Sequence, residues 1–327
     1  MYDLTSIMIL RSFKMIKMNK KTYYSSIKKL NSGVIYHDEF RLVFEQIKEA
    51  YNMKQEIGIP THIICTGESG TGKSTLKRQI EKEFPPYLIK DRKIIPILVV
   101  DTPAIPTIKS LSEAVLIELN DPLFKSGSAM EKTQRILLYL KQFNVNLIIF
   151  DELQHFINQG KEKGLSKASD WLKMIIDHSN ASIVLMGLTR SEYLLTINEQ
   201  LHRRFSSRIA LPPFSINNMK SIKIFSTVLS VIEKNIDFPY SFTVKKSSNI
   251  SAFYYATNGI ISYIIKLYEG AIEYAFKNKL ETIDRLCFEY AFTYKIWNLG
   301  VNEFNPFHPK FNNQRLDRPN MPFYKVR

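Results

Sequence analysis

One short segment of the sequence has the residue types and spacing that bind phosphate groups. Residues 67–74 read GESGTGKS, a complete G-x-x-x-x-G-K-[S/T] pattern, in a chain whose 327 residues include only 12 glycines. Glycines let backbone N–H groups close around phosphate oxygens, and a following helix adds the positive end of its dipole. Lys73 would neutralise the β- and γ-phosphates of ATP, and the Ser74 hydroxyl would ligate Mg²⁺. The alternative is a glycine turn with a purely structural role.

Two carboxylates follow an apolar run further along the chain. Residues 147–150 are all apolar and lead directly into Asp151 and Glu152, which predicts a buried strand that ends in two acids. Asp151 would hold Mg²⁺ through water and Glu152 would polarise the attacking water, so the pair favours hydrolysis of ATP. Kinases that share the glycine pattern generally lack the second acid. An exposed acidic strand end is the alternative interpretation.

An arginine pair and a threonine complete the candidate catalytic residues. The segment QLHRRFSSR places Arg203 and Arg204 where a helix would end at the edge of a domain. A guanidinium there can reach the γ-phosphate bound to a neighbouring subunit and stabilise the transferred charge. A solvated basic helix end or a DNA contact is the alternative for these arginines. Thr189 follows the fourth predicted strand, where it would sense the γ-phosphate; a simple helix cap is the alternative.

The hydrophobic pattern predicts the elements that carry these residues. Near-continuous apolar strands alternate with helices, which favours an α/β fold with a parallel five-stranded sheet covered on both faces. The predicted strands are 61–67, 94–102, 146–152, 181–188 and 206–214. The predicted helices are 35–56, 73–84, about 109–119 and 131–142, and one that contains Trp171 and Ile176.

After Pro213 the pattern becomes helical, with predicted helices at 216–233, 249–257, 260–277 and 283–298. This suggests a smaller, all-helical domain. From Val301 the chain is rich in Pro, Asn and aromatic residues without periodicity, which suggests an extended arm that orders only against another molecule. The predicted domains are a basic N-terminal extension (1–34), a nucleotide-binding core (35–213), a helical lid (214–300) and a C-terminal arm (301–327).

Charge and composition indicate the setting in which the protein works. The chain has 45 Lys and Arg against 31 Asp and Glu, a net charge of +14, which fits a nucleic-acid partner or a general lysine bias. Cys65 and Cys287 are too far apart to form a disulfide framework or a metal site. No apolar run approaches the ~18 residues that span a bilayer, and the N-terminus has no secretory pattern. We therefore expect a cytoplasmic protein with no membrane partner.

Several longer segments resemble one known family. GESGTGKST, IIFDELQHF, KASDWLKMII, IVLMGLTRSEYLL and NEQLHRRFSSRIALPPFS follow the order of the TniB/TnsC family of AAA+ transposition ATPases, over roughly residues 35–275. The resemblance implies an AAA+ core with a helical lid. It implies ATP-dependent assembly on double-stranded DNA into rings or helical filaments, hexameric or heptameric per turn, that hydrolysis takes apart. It also implies recruitment of a DDE transposase, contact with a TniQ/TnsD-type target selector, and a bacterial, nucleoid-associated location.

The resemblance also assigns roles to matching positions. It implies nucleotide contacts from Gly67, Glu68, Ser69, Gly70, Thr71, Gly72, Lys73, Ser74 and Thr75. The metal role falls on Ser74 and Asp151, the water-activating role on Glu152, and the trans arginine on Arg203 or Arg204. Many AAA+ lids carry an arginine shortly after a glycine turn, whereas residues 258–266 read NGIISYIIK and have none. This departure predicts slow turnover that a partner stimulates.

Lysines in two predicted loops are candidates for contact with DNA phosphates. Lys161, Lys163 and Lys167 follow the acid pair, and Lys109 follows the second predicted strand. Such lysines neutralise phosphates without reading bases; solvated loops are the alternative.

Two other functions remain open from the sequence. A helicase loader or replication-initiator-type AAA+ ATPase would share the core, but it would ordinarily carry a DNA-reading domain after the lid, which the sequence does not show. A scaffold with a structural nucleotide would have no use for Glu152. Phosphate release measured with and without DNA separates the three functions.

Overall fold

A computed structural model describes residues 19–157, 162–197, 199–244 and 246–325 of the protein. The chain divides into two compact units. The first unit contains residues 34–213 together with the short segment 260–262. The second unit contains the segment that ends at Gly33, residues 214–259 and the chain from Tyr263 onward. Within the described residues, no helix combines the length and the apolar character needed to cross a membrane.

Seven strands form two sheets in the first unit. They are β1 (His62–Gly67), β2 (Tyr87–Ile89), β3 (Arg92–Ile94), β4 (Ile97–Asp101), β5 (Leu147–Asp151), β6 (Ser182–Gly187) and β7 (Ser207–Leu211). Five of them form a parallel sheet in the order β4-β5-β6-β1-β7, which confirms the predicted parallel five-stranded sheet. β2 and β3 form a separate antiparallel hairpin.

Twelve α-helices are present among the described residues. They are α1 (Lys20–Ser32), α2 (Asp38–Ile57), α3 (Lys73–Glu83), α4 (Ile108–Glu118), α5 (Ala129–Gln142), α6 (Glu162–Ser179), α7 (Tyr193–Ile197), α8 (Glu199–Arg204), α9 (Met219–Lys234), α10 (Ser247–Thr257), α11 (Ile261–Lys277) and α12 (Arg285–Lys295). The local sequence explains where several of these helices begin. Ser128 and Glu131, for example, form a capping box at the start of α5, where each side chain bonds the other's backbone N–H.

The sheet is apolar on both faces because helices cover both. Along β5, Ile148 and Phe150 join a buried cluster with residues of α4, α5 and α6. The alternate residues Leu147 and Ile149 join a second cluster, with residues of α2 and α3. A strand buried on both faces has no polar alternation, so the near-continuous apolar runs are what this layered arrangement requires.

The second unit is helical, and its core is aromatic. Phe253, Tyr268 and Phe288 are fully buried, with ring centroids 4.9–5.4 Å apart. Helix α1 belongs to this unit: Tyr23 stacks on Phe276 at 4.5 Å. The basic N-terminal segment therefore contains a packed helix from Lys20, and residues 1–18 lie outside the described part of the chain.

The C-terminal tail is folded against the second unit, which differs from the extended arm that its sequence suggested. Phe307 is fully buried, and its ring lies 5.4 Å from that of Phe253 and 5.5 Å from that of Phe288. The Asn305 side chain donates hydrogen bonds to the carbonyl oxygens of Glu289 and Gly300, both at 2.9 Å. Because aromatic anchors and side-chain hydrogen bonds hold the tail, it has no periodicity for a sequence pattern to detect.

Candidate active site

The predicted phosphate-binding loop connects the end of β1 to the start of α3. Gly70 has φ +80° and Gly72 has φ +108°, a left-handed backbone that favours glycine. Gly72 is also the N-cap of α3, so no side chain caps that helix. The first turn of a helix leaves its backbone N–H groups without intrahelical partners, and these groups carry the positive end of the dipole. The loop therefore presents uncapped donors of the kind that bind phosphate oxygens.

The other polar residues of the loop either form hydrogen bonds with nearby groups or are exposed to solvent. Lys73 Nζ donates to the carbonyl oxygens of Gly67 at 2.7 Å and Glu68 at 2.9 Å. The Thr71 hydroxyl also donates to Glu68 O, at 2.9 Å. Ser69 and Ser74 are exposed, and the Thr75 hydroxyl accepts a hydrogen bond from Arg78.

The start of α11 completes this loop within the first unit. Ser262 N donates to Gly70 O at 3.1 Å. A Cβ at position 70 would lie 2.1 Å from Ser262 Oγ and 3.0 Å from the Ile260 side chain. Gly70 is thus required both by its backbone conformation and by this close approach. The contact comes from the segment in which the sequence lacks an arginine, so a backbone N–H and apolar side chains stand beside the loop there.

The structure brings the two predicted acids to the same edge of the sheet as the loop. Asp151 ends β5 and is buried, and its Oδ1 accepts a hydrogen bond from Glu152 N at 2.8 Å. Burial lowers the pKa of Lys73, while the nearby charges of Asp151 and Glu152 act in the opposite direction. Lysine and both carboxylates therefore share one electrostatic environment, as the sequence predicted.

Glu152 has an unusual backbone and a partner that the sequence analysis missed. Its φ is +58°, a left-handed conformation that is uncommon outside glycine, asparagine and aspartate. Gln154 Nε2 donates to the Glu152 carboxylate, and Gln154 Oε1 accepts from Leu188 N at 3.2 Å. This amide thus connects the predicted water-activating carboxylate to the end of β6, immediately before Thr189.

Lys77 is the second residue that sequence analysis missed. Its Nζ lies 2.9 Å from Asp151 Oδ2 and 2.6 Å from Asp101 Oδ1. Burial opposes its charge, but the hydrogen bonds to Asp101 and Asp151 outweigh burial, so the pKa of Lys77 is raised. The available signal was its position four residues after Lys73, which places both ammonium groups on one face of α3.

Thr189 follows the carboxyl end of β6, at the same edge of the sheet as the phosphate loop. It is exposed and begins a short 3₁₀ helix that ends at Glu192. Glu192 accepts a hydrogen bond from the Thr66 hydroxyl at 3.0 Å and faces Arg208 at 3.6 Å. Arg208, in the edge strand β7, also contacts His202 Nε2 at 2.8 Å. Arg208 is therefore engaged within its own unit.

The two candidate trans arginines differ in their surroundings. Both lie in the last turn of α8, which ends at Arg204. Arg204 pairs with Asp177 of α6 at 2.5 Å, and its charge adds to burial in lowering the pKa of His62 to about 4. Arg203 is 76% exposed and pairs only with Glu199 on the same helix, among the contacts of the described residues. Arg203 is thus the arginine that can reach outward.

The lysines predicted in DNA-binding loops occupy helices where the structure describes them. Lys109 is exposed in the first turn of α4, and Lys167 is exposed in α6. Lys163 also lies in α6, and Lys161 lies outside the described residues. The loop interpretation is wrong for residues 162–167 because α6 begins at Glu162, well before the apolar residues from which the helix was predicted.

The donor set fits a nucleotide with Mg²⁺. The uncapped N-terminus of α3, the Lys73 ammonium and glycine at each tight position suit a triphosphate. Within the described residues, no group of three or more His, Cys, Asp or Glu side chains could hold a metal ion. Mg²⁺ is commonly held by one or two carboxylates together with substrate phosphates, so Asp151 and the Ser74 hydroxyl are a suitable protein contribution.

A comparison with protein families identifies the group to which this sequence belongs. The family model described as Bacterial TniB protein matches residues 27–216, which is more than half of the chain. The chain belongs to the TniB family. No curated protein sequence matches it.

Several solved structures share the fold of this chain. ORC1 from Aeropyrum pernix, in a complex with DNA, has a TM-score of 0.59 at 14% identity, over 81% of this chain and 68% of that one. ORC2 from Aeropyrum pernix, with ADPNP and ADP, has a TM-score of 0.59 at 13% sequence identity, over 82% of this chain and 71% of that one. Cdc6p from Pyrobaculum aerophilum has a TM-score of 0.57 at 14% sequence identity, over 84% of this chain and 71% of that one. This TniB protein therefore has the AAA+ fold of the ORC and Cdc6 proteins.

Proposed function

We propose that this TniB protein is an ATPase that uses bound ATP to assemble on double-stranded DNA and hydrolysis to leave it. The observation that carries the proposal is the placement of Lys73, Asp151 and Glu152 together at the carboxyl edge of the parallel sheet. A phosphate loop alone would suit any nucleotide-binding protein. The second acid, next to the predicted metal carboxylate, is what favours hydrolysis.

The chain's own residues have distinct parts in this proposal. Backbone N–H groups of the loop and the Lys73 ammonium bind the phosphates and balance their charge. Ser74 and Asp151 would hold Mg²⁺, which when bound neutralises charge on the phosphate oxygens. Glu152 would accept a proton from the attacking water. Gln154 orients Glu152 toward the end of β6, because its amide contacts both the carboxylate and Leu188 N.

Assembly would make each site depend on two subunits. Arg203 has an exposed guanidinium in the last turn of α8 and no partner on another element among its described contacts. From a neighbouring subunit it could reach a γ-phosphate and stabilise the charge of the transferred group. Arg204 is the less suitable candidate because Asp177 holds it within its own subunit.

A DNA partner is supported by charge and by family. The net charge of +14 favours a polyanion, and the TniB family implies a role in transposition. On that basis the assembly would sit on target DNA, recruit a DDE transposase and meet a TniQ/TnsD-type selector, in the bacterial cytoplasm near the nucleoid. The candidates for phosphate contacts remain three lysines on helices: Lys109 on α4, and Lys163 and Lys167 on α6.

A replication initiator or helicase loader is the second candidate function. The solved ORC and Cdc6 structures favour it, since one of them, ORC1, contains DNA. However, the tail that follows α12 packs its Phe307 and Phe323 into the second unit. The tail is thus part of the second unit, and the match of residues 27–216 to the TniB family favours the transposition ATPase.

The proposed function is tested by phosphate release from ATP, measured with and without duplex DNA. Wild-type protein should bind ATP and release phosphate at a rate that DNA changes. Lys73→Ala should abolish ATP binding, because the loop loses the ammonium that contacts both of its carbonyls and would face the phosphates. Normal turnover by Lys73→Ala would overturn the site, and ATP binding without any turnover would favour a scaffold.

A further inference from the structure

The ends of β4 and β5 place two carboxylates opposite each other. Asp101 and Asp151 are register partners across these parallel strands, so their side chains leave the sheet on the same face. Like charges directly opposite each other on adjacent strands are destabilising. The Asp151 side chain is 3% exposed and that of Asp101 is 68% exposed, so water can solvate only one of the two.

Lys77 supplies the missing positive charge. Its ammonium contacts both carboxylates, at 2.6 and 2.9 Å, and its side chain is only 16% exposed. It reaches them because it lies one helical turn after Lys73 on the same face of α3. The two lysines thus have different partners. Lys73 contacts carbonyl oxygens of the phosphate loop, and Lys77 contacts the carboxylates of Asp101 and Asp151 at the ends of β4 and β5.

A metal ion and Lys77 would compete for the same oxygen atoms. Asp151 is the carboxylate assigned to Mg²⁺, and in this structure its Oδ2 is bound to Lys77. A cation that binds Asp151 must weaken that ion pair, which costs free energy. The cost is limited because Lys77 has a second partner, the exposed Asp101, which can keep its charge neutralised.

We infer that Lys77 is a positioning residue that excludes free Mg²⁺ from Asp151 and releases this carboxylate only when the metal arrives with a nucleotide. This inference rests on the proposed function, because it assumes that Asp151 serves a nucleotide-bound metal. Without nucleotide, Lys77 holds Asp151 in place and neutralises it. With nucleotide, the phosphates add ligands that a free ion lacks, and Lys77 remains paired with Asp101.

The first experiment follows thermal unfolding of the nucleotide-free protein as MgCl₂ is added. Wild-type protein should show little change in Tm. Lys77→Met should have a lower Tm without metal, because the two carboxylates then face each other, and millimolar Mg²⁺ should restore it. Lys77→Arg should behave as wild type, and Lys82→Met, an exposed lysine on the same helix, controls for loss of one charge. Equal Mg²⁺ responses in wild type and Lys77→Met would overturn the inference.

The second experiment measures ATP affinity in EDTA and in Mg²⁺. The gain from Mg²⁺ should be larger in Lys77→Met than in wild type, by on the order of tenfold if one ion pair is weakened. Asp101→Asn should act in the opposite direction, because Lys77 then has only Asp151 and gives it up less readily. This exposed substitution also keeps the test decisive if Lys77→Met does not fold. An equal gain in all three proteins would overturn the inference, whereas failure of all three to bind ATP would overturn the proposed function.

Discussion

Glu152 stands apart from the other carboxylates near the loop because a neutral amide holds it. Gln154 donates to its carboxylate, while the adjacent Asp151 is paired with the ammonium of Lys77. A side-chain carboxylate is among the groups that can accept a proton from an attacking water. The two adjacent acids thus differ in their partners, which suits Asp151 to a cation and Glu152 to the attacking water.

Glu152→Gln should separate ATP binding from hydrolysis. The amide has nearly the same shape but cannot accept the proton from water, so turnover should fall by roughly 10²-fold or more, with ATP affinity little changed. Phosphate release and fluorescent-nucleotide binding on the same preparation measure the two effects. Asp170→Asn, at an exposed acid of α6, is a matched control. Wild-type turnover in Glu152→Gln would show that another group activates the water.

At this scale the sequence predicted the residues that belong to contiguous motifs. Lys73, Asp151 and Glu152 could be found because each follows a recognisable strand. The partners of Lys77 and Gln154 could not be predicted, because they depend on which strand ends lie next to each other; the spacing of Lys77 from Lys73 indicates only a shared face of α3. Asp101 and Asp151 are 50 positions apart in the chain yet face each other across β4 and β5. No local pattern contains that information.

Among the elements, the C-terminal tail shows how a segment without periodicity can still be part of a core. Phe307→Ala should destabilise the protein by about 3–5 kcal/mol, because it removes a fully buried ring and leaves a cavity among Phe242, Phe253 and Phe288. Denaturant unfolding measures this loss. Tyr324→Ala, at a half-exposed tail position, should change the free energy of unfolding by far less. Equal effects of the two substitutions would mean that the tail is not anchored by Phe307.

The elements themselves were predictable to different degrees. The five parallel strands and the eight helices with predicted bounds follow from apolar runs and 3.6-residue periodicity, and the structure has them within a few residues of those bounds. The β2–β3 hairpin was missed because its residues Tyr87, Leu88 and Ile89 are exposed and do not alternate. Helix α1 was missed because its sequence is dominated by lysine and polar residues, with only Ser26 and Leu30 buried.

In an assembly of whole molecules, neighbouring subunits should complete each other's sites. Arg203→Ala should leave ATP binding by the isolated subunit intact and abolish turnover in the assembly. Mixing Arg203→Ala with Lys73→Ala protein should restore part of the activity, because one subunit then supplies the loop and the other the arginine. Turnover measured against the mixing ratio tests this expectation.

Arg208→Ala is the control for that mixing experiment, because Glu192 and His202 hold Arg208 within its own subunit. Mixtures of Arg208→Ala with Lys73→Ala protein should therefore show no such complementation. If Arg203→Ala retains full turnover while Arg204→Ala or Arg208→Ala loses it and is rescued by mixing, the trans arginine has been assigned to the wrong position.

We expect ATP to drive the assembly of this chain on DNA, which sedimentation of the protein with duplex DNA measures. Wild-type protein should form large, DNA-bound assemblies with ATP, and these should dissociate as ATP is converted to ADP. Lys73→Ala should remain small under every condition, because it lacks the ammonium of the phosphate loop. Assemblies of equal size with ATP, with ADP and without nucleotide would contradict this expectation.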